Sequence, residues 1–246
     1  MQSFVDIHSH VIPSGDDGVE SEAEGLELLE TAASRGTKII YGTPHVWPID
    51  GLTDAREAAV RAAHRRMRGQ ARVFGVDLQL GFEVTPAPAR HKEDPTRYRL
   101  GDLDAILIEV PFRGSIDVPF GYAAFAEGAG LLPILAHPER SDAVLDEPSH
   151  VNVARERGWL VQLNASSVLG EHGRAEKALA WELLGDGLVD LVASDGHRAS
   201  RPPFLNAVYS VLTERLGTNA LKLLDGSALL GTRSARAQVS DEPPAV

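Results

Sequence analysis

MQSFVDIHSH, residues 1–10, is the stretch from which the fold can be read. An apolar run through Val5 and Ile7 ends in His8 and His10, two positions apart. In an extended strand residues i and i+2 point to the same side, so both imidazoles should project together from the end of a buried strand. Outward from here, strand-like runs alternate with helical patterns. FVDIH (4–8) precedes EAEGLELLETAASRG (22–36), with Leu and Ala at helical spacing and Gly36 as its stop. KIIYGTPH (38–45) precedes TDAREAAVRAAHRRMRG (53–69), with Thr53 as N-cap and Gly69 as stop. VDLQLGFEV (76–84), AILIEV (105–110), LLPILAHPER (131–140), WLVQLNASS (159–167) and VDLVASDGH (189–197) read as further strands. A last helical pattern covers 204–216, with LKLLDG (221–226) after it. Strands joined by helices in this way predict a parallel α/β barrel or a doubly wound sheet.

The strand ends carry the chemistry. The first ends in His8 and His10, the second in His45, the third in Glu83 and the fourth in Glu109. The fifth ends in His137, followed by Glu139 and Arg140, and the seventh in Asp195 and His197. In parallel α/β architectures these ends share one face, where active sites are built. His64, His91, His150 and His172 fall in helices or loops and read as surface residues.

Composition narrows the function. The chain has 246 residues, 43% hydrophobic, enough for one large domain. It has no apolar run of membrane-spanning length and no basic-then-apolar leader, so the expectation is a cytoplasmic protein. A net charge of −11 argues against a nucleic-acid partner. Cysteine is absent, which removes disulfides, zinc–thiolate sites and any cysteine nucleophile. The polar, Pro-containing tail 233–246 is expected to be poorly ordered, leaving a domain over 1–232.

Each element alone has a bland reading: DDG (16–18) is a turn, His137 a core histidine, and Asn164 with Ser166 and Ser167 a helix cap. Together, imidazoles and carboxylates at six strand ends point to metal. Five strand-end histidines with Asp17, Glu83, Glu109 and Asp195 suit Zn²⁺, Mn²⁺ or Fe²⁺. Nine ligands exceed the needs of one ion and suggest two or three ions sharing carboxylates. Such a site attracts phosphate and can hold both oxygens of a displacement.

DIHSH (6–10), DDG, TPH (43–45), the GFE around Glu83, IEV (108–110), AHPER (136–140), NASS (164–167) and SDGH (194–197) resemble the polymerase-and-histidinol-phosphatase (PHP) superfamily. With RPP (201–203), the chain is most similar to its bacterial protein-tyrosine-phosphatase branch of capsular and exopolysaccharide synthesis, over about residues 4–230. The resemblance implies a distorted (βα)7 barrel and three divalent ions, Mn²⁺ first, Fe²⁺ or Zn²⁺ as alternatives. It implies that His8, His10, Glu83 and Asp195 hold one ion, that Glu83, Glu109 and His137 hold a second, and that Asp17, His45 and His197 hold the third. Asp17 rather than Asp16 is assigned because it directly precedes the glycine. Arg140 and Arg201 match the family's phosphate-contacting arginines, and a metal-bridging hydroxide is the implied nucleophile. The implied substrate is a phosphotyrosine protein, a bacterial tyrosine kinase. Alternatives are a small-molecule phosphatase such as a histidinol-phosphate phosphatase, a phosphodiesterase, or a non-catalytic module. In the loop 46–54, Trp47 either shapes the pocket mouth or simply packs.

Overall fold

In the computed structural model, residues 3–49 and 51–229 are described; the tail expected over 233–246 and the domain end at 232 lie outside them. The chain runs β1 (Phe4–Ser9), α1 (Glu22–Ser34), β2 (Thr37–Gly42), β3 (His45–Val46), α2 (Asp54–Ala71), β4 (Asp77–Leu80), β5 (Glu83–Val84) and β6 (Ala105–Glu109). It continues α3 (Asp117–Gly128), β7 (Leu132–Ala136), α4 (Asp142–Asp146), α5 (His150–Glu156), β8 (Leu160–Asn164), α6 (Ala165–Leu169), α7 (Arg174–Gly185), β9 (Leu191–Ala193) and α8 (Asn206–Leu216).

All the paired strands are parallel, in the orders β1-β2-β4 and β3-β5-β6-β7-β8-β9. The second and third expected strands are each broken in two. Pro44 has no N–H for the ladder, and Gly81 packs so close to Leu100 that a Cβ would lie 2.4 Å from its Cδ2. The breaks run side by side, Gly81 N–H donating to the Gly42 carbonyl at 2.9 Å, so the two groups form one continuous wall. Across the remaining gap, His10 N–H donates to the Gly196 carbonyl at 2.6 Å and Asp195 N–H to the His8 carbonyl at 2.9 Å. Buried Asp6 accepts from the Ser194 N–H at 3.0 Å and from its hydroxyl, tying β1 to the end of β9. Burial pushes the Asp6 carboxyl up to about 6. This is the distorted barrel, with seven staves once each broken pair is counted as one.

Two apolar layers hold it. Ile106 and Ile108 of β6 join the large cluster that includes Leu29, Val60 and Met67 of the helices. Ala105 and Leu107 join a second cluster with Ile7, Tyr41, Ile134, Ala136, Leu191 and Ala193, the barrel interior. That inner row turns polar at its upper end: Leu107 gives way to Glu109, Leu160 to Gln162 and Asn164, and Ala193 to Asp195. The functional face therefore rests on an apolar plug.

Boundaries differ from expectation in several places. α2 begins under Thr53, whose side chain accepts from Arg56 N–H, but it runs through Gly69 to Ala71. The turn ends at Gly75, with φ +82°, a left-handed conformation that suits glycine. NASS is not strand beyond Asn164; Ala165 begins α6. The first half of LKLLDG, through Leu223, falls in a 3₁₀ segment, Gly217–Leu223.

Candidate metal centre

The broken strands and the β1–β9 seam bring the strand ends into one cup. His8 and His10 do project together, with Nε2 atoms 3.3 Å apart and both side chains buried. Glu83 stands at the middle. Its Oε2 is 3.2 Å from His8 Nε2, 3.4 Å from His10 Nε2 and 3.0 Å from His45 Nδ1, and its Oε1 is 2.9 Å from His137 Nε2. Asp195 Oδ1 is 3.3 and 3.4 Å from the same Nε2 atoms of His8 and His10. Asp17 Oδ1 reaches His45 Nε2 at 3.5 Å and His197 Nε2 at 3.3 Å.

The nine residues fall into four overlapping groups, each with its donor atoms within 4.8 Å: His10, Asp17, His45 and His197; His8, Glu83 and His137; His8, His10 and Asp195; His45, Glu83 and Glu109. Among the described residues, buried His45 Nδ1, Glu83 Oε2 and His137 Nδ1 find no hydrogen-bond partner of good geometry, although His45 Nδ1 and Glu83 Oε2 are only 3.0 Å apart. Orphaned donors converging from several strands, with only nitrogen and carboxylate oxygen in the set, fit divalent cations.

Charge accumulates to match. Burial opposes ionisation of Glu83, but His45 and His8 outweigh it and hold the carboxyl well below its ordinary range. Asp195 is likewise held well below despite burial, chiefly by His8 and His10. Burial, then the Glu83 charge, raises Glu109. For His10, burial is overcome by Asp16, Asp195 and Glu83, so its pKa is raised well above the usual value. His45 and His197 are lowered, mainly by burial.

The backbone is bent to fit. His137 (φ +40°) and Asp195 (φ +50°) are the non-glycine residues in left-handed conformation among those described. Such strain collects where function dictates a side-chain direction. Gly18 of DDG packs against His10, where a Cβ would lie 2.5 Å from the carbonyl oxygen, and Gly196 of SDGH packs equally tightly on the Pro203 backbone of RPP.

Several supporting residues escaped the sequence reading. His8 Nδ1–H donates to Gln162 Oε1 at 2.9 Å, Gln162 Nε2 donates to Asn164 Oδ1 at 3.0 Å, and Asn164 Nδ2 donates to Asp195 Oδ2 at 2.7 Å. This chain places the His8 proton on Nδ1 and leaves Nε2 bare toward the cluster. Gln162 could have been found as the one polar residue between Leu160 and Asn164, on the face that Asn164 shares. The Asp16 side chain is buried; it accepts from His10 Nδ1 at 3.4 Å and from His45 N–H at 3.0 Å.

Arg140 and Arg201 reach Asp195 at 3.4 and 3.7 Å, and Arg201 Nη2 lies 2.7 Å from His197 Nε2. His172 is not a plain surface residue. It bonds Ser167 Oγ at 3.0 Å, and burial together with the charges of Arg140 and Arg201 lowers it to about 4. His64 likewise is partly buried, 2.9 Å from the Leu78 carbonyl, and His150 partly buried near Ala143, whereas His91 is exposed. A cavity of about 140 Å³ opens over this ring, lined by Asp17, Glu83, Glu109, His137, Arg140 and Arg201 among others.

Residues 4–226 match the family described as capsular polysaccharide synthesis, CpsB/CapC. The chain is 30% identical over 242 residues to the tyrosine-protein phosphatase YwqE of Bacillus subtilis, covering 94% of this chain and 92% of that one. It is 29% identical over 234 residues to the tyrosine-protein phosphatase CpsB of Streptococcus pneumoniae, covering 90% and 94%. Its fold superposes with a TM-score of 0.82 and 27% identity on a crystal structure from a study of YwqE and CpsB as metal-dependent tyrosine phosphatases, covering 94% of this chain and 95% of the other. A cluster of imidazoles and carboxylates beside two arginines, on this fold and with this similarity, leads to one conclusion: the chain belongs to the CpsB/CapC family.

Proposed function

We propose that this protein is a metal-dependent protein-tyrosine phosphatase of the PHP type, acting in the cytoplasm on a bacterial tyrosine kinase of polysaccharide synthesis. One observation carries the reading: seven of the nine ligand residues and both arginines line a single small cavity, with buried His8 and His10 completing the cluster behind it. In this reading His8, His10, Glu83 and Asp195 hold a first divalent ion, Glu83, Glu109 and His137 a second, and Asp17, His45 and His197 a third, Mn²⁺ being favoured over Fe²⁺ or Zn²⁺. When bound, the ions supply an activated water and neutralise charge at phosphorus. Arg140 and Arg201, both beside Asp195, offer guanidinium forks to the phosphate oxygens and stabilise the charge that grows on them. Gln162, Asn164 and Asp16 keep the imidazoles and Asp195 oriented. With no cysteine in the chain, no phosphocysteine route exists.

The cavity is far smaller than the roughly 300–1,000 Å³ typical of sites that enclose a whole drug-sized ligand. It suits a phosphate group and the side chain that bears it, while the rest of the protein carrier stays outside. The test is phosphate release from a phosphotyrosyl peptide and from histidinol phosphate, with Mn²⁺-loaded and chelator-stripped protein. Preference for the peptide, lost on stripping, is the expected result. Preference for histidinol phosphate would replace the substrate, and release unaffected by stripping would refute the metal reading.

A further inference from the structure

The ligand cluster and the arginines account for the phosphate end of a substrate and for nothing beyond it. Two aromatic side chains line the same cavity, Trp47 and Phe112. Trp47 follows β3 and stacks on His45, ring centroids 4.3 Å apart at 24°. Phe112 follows β6, is 44% exposed, and its centroid lies 5.8 Å from that of His137. The Arg140 guanidinium sits 4.2 Å above the Phe112 ring.

Strand order gives these residues a pattern. β3, β5 and β6 are neighbours, so Trp47 and Phe112 rise on either side of the Glu83 strand. Arg140 follows β7 and Arg201 follows β9, farther around the wall. The rim thus has an aromatic arc and a cationic arc. A lone exposed phenylalanine needs no explanation. Two aromatic side chains in one small, highly charged cavity do, because their exposed apolar surface is removed from water when a ligand ring covers it.

The Trp47 turn is also anchored from below. Arg90, 4% exposed, donates from Nη2 to the Trp47 carbonyl at 2.5 Å and pairs through Nη1 with Glu93, which in turn accepts from the buried Tyr98 hydroxyl. Gly51 N–H donates to the same carbonyl at 3.1 Å. Gly51 has φ +61°, and a Cβ there would lie 2.7 Å from the Arg90 guanidinium. A buried cation held by an acid and spent on one loop carbonyl fixes the position of Trp47 to a degree that a covering loop does not require.

We infer that Trp47 and Phe112 are the walls that receive the aryl ring of the ester and so set the margin by which a tyrosyl ester is preferred, and that Arg90 is a positioning residue for Trp47. This rests on the phosphatase reading above. Phe112 acts twice, offering one part of its ring to the substrate while the Arg140 guanidinium packs on its face. The leaving ring, lodged between two aromatic side chains, gains edge and face contacts that a serine or threonine ester cannot make.

The test compares a phosphotyrosyl peptide with the phosphoseryl peptide of the same sequence, using metal-loaded wild type, Trp47→Leu and Phe112→Leu. Inhibition by phenylphosphonate and methylphosphonate supplies a binding readout. Wild type should favour the phosphotyrosyl peptide, and each variant should shrink the ratio of the two kcat/KM values by roughly 3- to 10-fold, the range of an aromatic pair contact. The phenyl-to-methyl inhibition ratio should shrink in parallel. Arg90→Lys keeps the charge but loses the fork, and should raise KM for the phosphotyrosyl peptide while sparing kcat. Equal losses on both esters in the variants would overturn the aryl assignment while leaving the tyrosine-phosphatase reading intact, whereas a wild type indifferent between the esters would overturn both the assignment and the tyrosine specificity. A fall in kcat on both peptides for Arg90→Lys would overturn its positioning role. A wild type that releases phosphate from neither peptide would remove the phosphatase reading and this inference with it.

Discussion

Gln162 shows how much a single uncharged side chain can decide. By accepting from His8 Nδ1 it sets the tautomer that presents Nε2 to Glu83 and Asp195, and through Asn164 it also braces Asp195. Residues of this kind commonly change metal affinity about 10- to 100-fold when removed. Gln162→Leu should therefore weaken Mn²⁺ binding by that order, read by competition with a chromogenic chelator, while circular dichroism stays that of wild type. Unchanged affinity would show that His8 needs no partner on Nδ1. At this scale the ligand types were legible in the sequence, because histidine and carboxylate chemistry is intrinsic to the residue. Gln162 was not, since its role depends on a partner 154 positions away. Nor was the division of labour in DDG: Asp17, largely exposed, faces His45 and His197, whereas buried Asp16 braces His10 from behind. Gly18 is needed because the loop presses on the His10 carbonyl.

At the scale of elements, periodicity located the helices and strands well and their ends less well. Gly69 reads as a stop because glycine is the usual one, yet α2 continues past it. Nothing lies within 4 Å of where a Gly69 Cβ would stand, and its φ is not positive. Gly69→Ala should accordingly stabilise the protein by about 0.5–1 kcal/mol, measured by urea unfolding, since alanine restricts the unfolded chain at no cost in the helix. A destabilised variant would mean that the helix is in fact interrupted there. The split of 38–45 and 76–84 into paired half-strands was equally hidden. Each segment looks continuous by composition, and only the lateral fit of Gly42 to Gly81, with Leu100 against Gly81, reveals the step. That step re-aims His45 and Glu83, which are register partners in β3 and β5, into the cup.

For the molecule as a whole, the wall is closed by few bonds and the cup is crowded with ionisable groups. His8, His10, Glu83, His137 and Asp195 are all buried within a few ångströms of one another, an arrangement that costs desolvation unless compensated. Cations that bind only the folded state stabilise it by mass action, about 2.7 kcal/mol at 100 times Kd. For a domain of this size that corresponds to a rise in Tm of roughly 5–10 °C. Calorimetry of chelator-stripped protein with increasing Mn²⁺ should show such a rise, saturating with concentration; a Tm indifferent to Mn²⁺ would separate the cluster from metal. No helix among the described residues is long and apolar enough to cross a membrane. The sequence by itself determined the alternation of strands and helices and the kinds of side chain at the strand ends, because period and residue chemistry are local properties. Tertiary structure alone decided that Glu83 lies at the centre, that Trp47 and Phe112 share one rim, and that His172 sits near the arginines rather than in open solvent. Those relations arise when β1 meets the end of β9 and closes the wall, and no short stretch of chain encodes that closure.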